Sequence, residues 1–206
     1  MTDRSVNLKI MSPRTKEQLE VLKAEKREKI IEAAIELFAL QGFNNASISQ
    51  LAKQAGISKG LVYTYFESKE EILRAIMHDV REKAMSRYEM PPEGKMTDES
   101  LIRLIDLSID LVLEDVDHIK LYFSIFTQPH VFNLMLEEMW EQAAPLMKMF
   151  YEYYEEKGVE DPMAMMRYFS ATIDGIQMHL VLDPKNFPVE QVKKLVINQF
   201  VIKKEK

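Results

Sequence analysis

The chain has 206 residues, 47% of them apolar, no cysteine and a formal charge of −6. That apolar share can build a core and excludes wholesale disorder, and the lack of cysteine excludes disulfides, thiolate metal sites and a cysteine nucleophile. No apolar run reaches the roughly 18–20 residues of a membrane span, and the first ten residues lack the apolar stretch of a secretory signal, so a cytoplasmic location is expected.

Residues 1–14 read as an N-terminal tail, with Met11 an alternative start ahead of Ser12-Pro13. Apolar residues then recur at helical spacing almost throughout, with no strand-like alternation of useful length, so the expected fold is all-α. Thr15/Gln18, Ser47/Gln50 and Ser68/Glu71 fit the Ser/Thr-x-x-Glu/Gln pattern of a capping box, and Ser58 is a further N-cap. Gly42 and Gly56 sit where helices should stop. The first helix is predicted over 16–41, its charged first half projecting and Ile30, Ile31, Ala34, Leu37 and Phe38 buried. A short second helix (48–55) buries Ile48, Leu51 and Ala52. The third spans 59–66, and the fourth runs from 69 to about 88, burying Ile72, Leu73 and Ile76. Two prolines and a glycine in MPPEGKMT, residues 90–97, end it. Five more helices are predicted near 98–115, 117–127, 130–156, 162–182 and 188–203. Asp161-Pro162 forms the cap of one, and Pro145 is expected to kink or split another.

The second and third helices meet at a tight glycine corner, which is the helix-turn-helix arrangement. In that motif the second helix lies in the DNA major groove. Val62 and Phe66, four apart, supply the buried seam of ISKGLVYTYFESK, which turns Gly60 and Thr64 outward with Lys59 and Tyr63 on one side and Leu61 and Tyr65 on the other. Lys59 suits guanine acceptors, while Leu61 or the Thr64 methyl suits a thymine methyl. Gly60 permits close backbone approach. Tyr63, Tyr65, Lys69 and the hydroxyls of Ser47, Ser49 and Ser58 suit phosphate oxygens. Charge supports this division. Residues 1–66 hold ten Lys/Arg against seven Asp/Glu, while the remainder holds seventeen against twenty-six. A mildly basic head on an acidic body suits a head that meets a polyanion.

These residues together resemble the DNA-binding region of the TetR/AcrR family of bacterial transcriptional regulators. The likeness runs from Ile30 through Leu37-Phe38 and Gly42-Phe43 into SISQLAKQAGISKGLVYTYFESKEEIL, residues 47–73. Leu61 departs from it, standing where many members carry Thr or Ala. The resemblance implies a helix-turn-helix domain over 15–68 and a helical effector-binding and dimerisation domain over 69–206. It further implies a homodimer that binds a pseudo-palindromic operator and is released by a small-molecule effector, a repressor more than an activator. The two last helices would pair with their copies in a four-helix bundle, and Tyr168, Ile176, His179, Leu180, Leu195 and Gln199 are the candidate dimer residues. Phe123, Phe126, Trp140, Met147 and Phe169 are the candidate lining of an at least partly apolar effector pocket.

No enzyme is expected. Histidines 78, 118, 130 and 179 lack ligand spacing, so no metal or other cofactor is expected. Asp106, Asp110, Glu114 and Asp117 read as a solvated face, and no nucleophile elbow or phosphate-binding glycine loop occurs. The alternative reading is a helical small-molecule binding or scaffolding protein with a vestigial helix-turn-helix, which would form no specific DNA complex at any salt concentration.

Overall fold

The computed structural model describes residues 15–91 and 94–202; the tail and the Met11 alternative start lie outside them. The described residues are helical in nine segments and hold no strand. These are α1 (Lys16–Gln41), α2 (Ile48–Gln54), α3 (Lys59–Tyr65), α4 (Lys69–Met85), α5 (Asp98–Glu114), α6 (Val116–Phe126), α7 (Pro129–Glu156), α8 (Pro162–Leu182) and α9 (Val189–Phe200). None is long and apolar enough to cross a membrane.

Side-chain oxygens set most helix starts. Thr15 and Ser47 form complete capping boxes with Gln18 and Gln50. Ser68 accepts from the Glu71 amide, but the Glu71 carboxylate turns to the Glu67 amide, so that box closes one residue early. A box absent from the expected pattern forms between Thr97 and Ser100. Pro145 does not split α7, which is continuous across it. Both Pro145 and Glu141, whose carbonyl the proline ring frees, are solvent-exposed, so water can take up the missing bond.

Two apolar clusters hold the molecule. One joins α1–α4 around Ile30, Phe38, Leu51, Val62, Phe66 and Leu73 and also takes in Ile125 of α6 and Val131 and Met135 of α7. The packing therefore crosses the boundary expected near residue 68. The other cluster gathers Leu101, Ile105, Phe150, Tyr154, Phe169 and Phe200 from α5, α7, α8 and α9. The acidic run of α5 is not simply solvated. Asp106 and Asp110 lie 3.3 and 2.8 Å from Lys193 Nζ, whose side chain is largely buried, and Glu114 pairs with Arg87. The Lys193 pairs tie α5 to α9, and the exposed Arg87 pair ties the end of α5 to the segment after α4.

Candidate nucleic-acid interface

The second and third helices are locked together by the corner between them. Gly56 has φ +66°, and α2 ends with Gly56 N–H donating to Lys53 O and Ile57 N–H donating to Ala52 O. This pair of bonds is a Schellman motif, which needs a residue in the left-handed region that glycine enters without strain. Ser58 then caps α3 by accepting from the Leu61 amide at 3.2 Å. Val62 and Phe66 are buried at 0% and 4% exposure, so the seam of α3 faces the head core as expected.

The opposite face of α3 is open. Lys59, Gly60, Tyr63 and Thr64 are all exposed, and a Cβ built on Gly60 would meet nothing within 4 Å. Lys59 Nζ stands 5.8 Å from the centre of the Tyr63 ring, so cation and phenol share one edge. Thr64 Oγ1 donates back to Gly60 O at 3.1 Å, which fixes its rotamer and leaves oxygen lone pairs and the methyl outward. Ser49 is exposed, whereas the Ser47 hydroxyl donates to Gln50 Oε1 at 2.7 Å. Leu61 is half-buried. Tyr65, also half-buried, packs against the head core, which makes it as much a support as a contact residue.

Lys69 departs from the expectation. Its ammonium group donates to the carbonyls of Phe43 (2.8 Å), Ala46 (2.7 Å) and Asn44 (3.4 Å) and lies 4.8 Å from the Phe43 ring centre. All three N–H groups turn inward to the α1–α2 loop and none is left for phosphate. Lys69 is a clasp. Gln128 completes it from the other side, accepting from the Phe43 amide at 2.8 Å. Nothing in the sequence singled out Gln128, because a glutamine before Pro129 reads only as a helix start.

The candidate residues elsewhere in the chain do not all converge. Phe126 packs against the head cluster, whereas Met147 and Phe169 belong to the body cluster. Trp140 is exposed under the Arg167 guanidinium, 4.4 Å from its ring centre, and Phe123 is half-buried. These five do not line one cavity. A cleft of about 400 Å³ between α7 and α8 takes Met147 with Tyr151, Met163 and Met166. Among the candidate dimer residues, Ile176 and Leu180 are buried in the chain's own body cluster. Tyr168, His179, Leu195 and Gln199 are exposed. Met178 and Leu182 extend the same outer face of α8.

The family model for "Bacterial regulatory proteins, tetR family" matches residues 30–76, which are the buried half of α1, the whole helix-turn-helix and the start of α4. Residues 30–76 thus carry the DNA-binding region of the TetR family. A "Fatty acid metabolism regulator protein" of Bacillus subtilis is 34% identical over 83 residues, 40% of this chain and 43% of that one. The "HTH-type transcriptional regulator UidR" of Escherichia coli K12 is 40% identical over 68 residues, 33% of this chain and 35% of the other. The match thus spans under half the length of these curated relatives.

Likeness in fold reaches further. A TetR-family regulator from Shewanella sp. PV-4 superposes with a TM-score of 0.69 at 16% identity, covering 85% of this chain and 95% of that one. NalD of Pseudomonas aeruginosa, described as the secondary repressor of a multidrug efflux pump, gives 0.66 at 17% identity over 88% and 99%. The TetR fold therefore extends through the body, where sequence similarity does not.

Proposed function

We propose that this chain is a ligand-responsive transcriptional regulator, a repressor that binds a pseudo-palindromic operator as a homodimer and leaves it when a small-molecule effector occupies the body. The observation that carries this reading is the open face of α3, where Lys59, Gly60, Tyr63 and Thr64 stand exposed on a helix whose other side is fully seated in the head core. Such a face is shaped for a major groove. Lys59 and Thr64 read bases, with Leu61 beside them, while Tyr63, Ser49, Ser58 and Ser47 orient the head on phosphates. The function is binding, not catalysis, and its place is the cytoplasm.

Dimerisation through α8 and α9 is supported by Tyr168, Met178, Leu182 and Leu195, which are 49–69% exposed although apolar. A two-fold dimer would set its recognition helices about 34–36 Å apart, one helical turn of DNA. An at least partly apolar effector accords with the methionine-lined cleft between α7 and α8. It also accords with the Bacillus subtilis relative named for fatty acid metabolism.

Selection of a random duplex library by the purified protein, followed by titration of the winner at several salt concentrations, tests the reading. A pseudo-palindromic winner is expected, with log affinity falling by about 0.9 per phosphate neutralised for each unit of log salt. No enriched duplex would overturn it.

A further inference from the structure

The α1–α2 loop, residues 42–46, sets where α2 starts and so where the recognition unit sits. Two side chains from outside the three-helix head hold it. Lys69 at the start of α4 binds its carbonyls, as described above. Gln128 binds it from the corner between α6 and α7.

Gln128 occupies the N-cap position of α7, yet its side chain makes no cap bond to that helix. It points the other way. Its Oε1 accepts from the Phe43 amide at 2.8 Å, while Nε2 donates to Phe38 O at 3.0 Å and to Ser124 O at 2.9 Å. One carboxamide thus ties the last turn of α1, the α1–α2 loop and the last turn of α6. Next to it, the His130 ring stacks on Phe43 at 6.1 Å. A residue that forgoes the stabilisation of its own helix end to make these bonds links two units rather than one.

We propose that the Gln128 carboxamide is a coupling pin, the positioning contact through which the α6–α7 corner of the body and the α1–α2 loop of the head report on each other. The inference rests on the regulator reading for its use, but the pin itself does not. Head-to-body signalling then has two routes, α4 through Lys69 and α6–α7 through Gln128, and the second bypasses the α4 backbone. Because coupling is reciprocal, operator binding at the head must alter the body corner even with no effector present.

Amide hydrogen exchange on the full-length protein tests this, without and with the duplex selected above. In the free protein Gln128→Leu should speed exchange at Phe43 by about tenfold, the equivalent of one lost hydrogen bond, while Leu73 and Ile76 in α4 keep their protection. In the wild type, operator binding should slow exchange across residues 116–135. In Gln128→Leu that response should vanish while the operator still protects α3. Gln128→Met, which keeps the length of the side chain but not its polar atoms, should give the same two losses, and it decides the matter if Gln128→Leu does not fold. Unchanged Phe43 exchange in Gln128→Leu would overturn the pin. So would an undiminished response at 116–135 in either variant. A protein that binds no duplex would instead overturn the regulator reading, with the Phe43 exchange in free protein still testing the pin.

Discussion

The Lys69 ammonium donates to the Ala46 carbonyl at 2.7 Å, one residue before Ser47 caps α2. A cation placed by sequence pattern beside the recognition helix is thus spent on fixing the loop that leads into it. Lys69→Met keeps the stem and removes the donors, leaving part-buried carbonyls unpaired. A loss of about 1–3 kcal/mol in urea unfolding is expected. The salt slope of operator binding should match the wild type. A slope shallower by about 0.9 would make Lys69 a phosphate contact after all.

Lys59 and Tyr63 divide by role. Lys59→Ala should weaken the selected operator by about 1–3 kcal/mol and relax preference at a single base pair, as removal of a base-reading side chain does. Tyr63→Phe should weaken all duplexes alike, by about 0.5–1.5 kcal/mol. Both side chains are exposed, so melting temperatures should stay close to the wild type. Binding of each variant to a panel of single-base operator changes separates these outcomes.

The outer face of α8 and α9 separates assembly from folding. Leu195 is 67% exposed in the single chain and Leu180 is 0% exposed. Leu195→Glu should give a folded monomer by sedimentation and circular dichroism. Leu180→Glu should abolish cooperative melting, because it buries a carboxylate without a partner. A fully dimeric Leu195→Glu protein would remove the α9 face from the dimer proposal.

Partial loss of solvent around its carboxyl raises Asp174 of α8, whose side chain still reaches the surface, above its ordinary range. With the folded value above the unfolded one, the proton is held more tightly in the folded chain. Stability from this group is therefore fully present at low pH and is lost as pH rises through the raised value. Asp174→Asn should accordingly raise the melting temperature at pH 7, with the gain shrinking as pH falls through the raised value and gone below about 4, the ordinary aspartate value. A gain that did not depend on pH would assign the effect to packing.

Local chemistry made the helices legible from sequence. Thr15, Ser47, Ser58, Ser68 and Asp161 are start signals because each carries an oxygen within reach of the free amides of its own first turn. Val62 and Phe66 gave the seam of α3, because four residues is one helical turn and the seam fixes what faces outward. The same spacing left Ile176 and Leu180 indistinguishable from a dimer stripe, since an apolar face shows that something covers it and not which chain does. Pro145 shows the same limit, for whether a helix continues across a proline depends partly on whether water or a neighbour can take up the freed carbonyl. Lys69 and Gln128 lie furthest from sequence reading, because the bonds by which they clasp the head reach backbone atoms at Ala46 and Phe43, 23 and 85 residues away. A backbone carbonyl or amide has no residue type to recognise. The sequence by itself determined the helices, their caps and the outward face of α3, all of which depend on neighbours within a turn or two. Only the tertiary structure decided which apolar faces were already covered and which polar side chains clasp the head, because those depend on atoms that distant parts of the chain bring together.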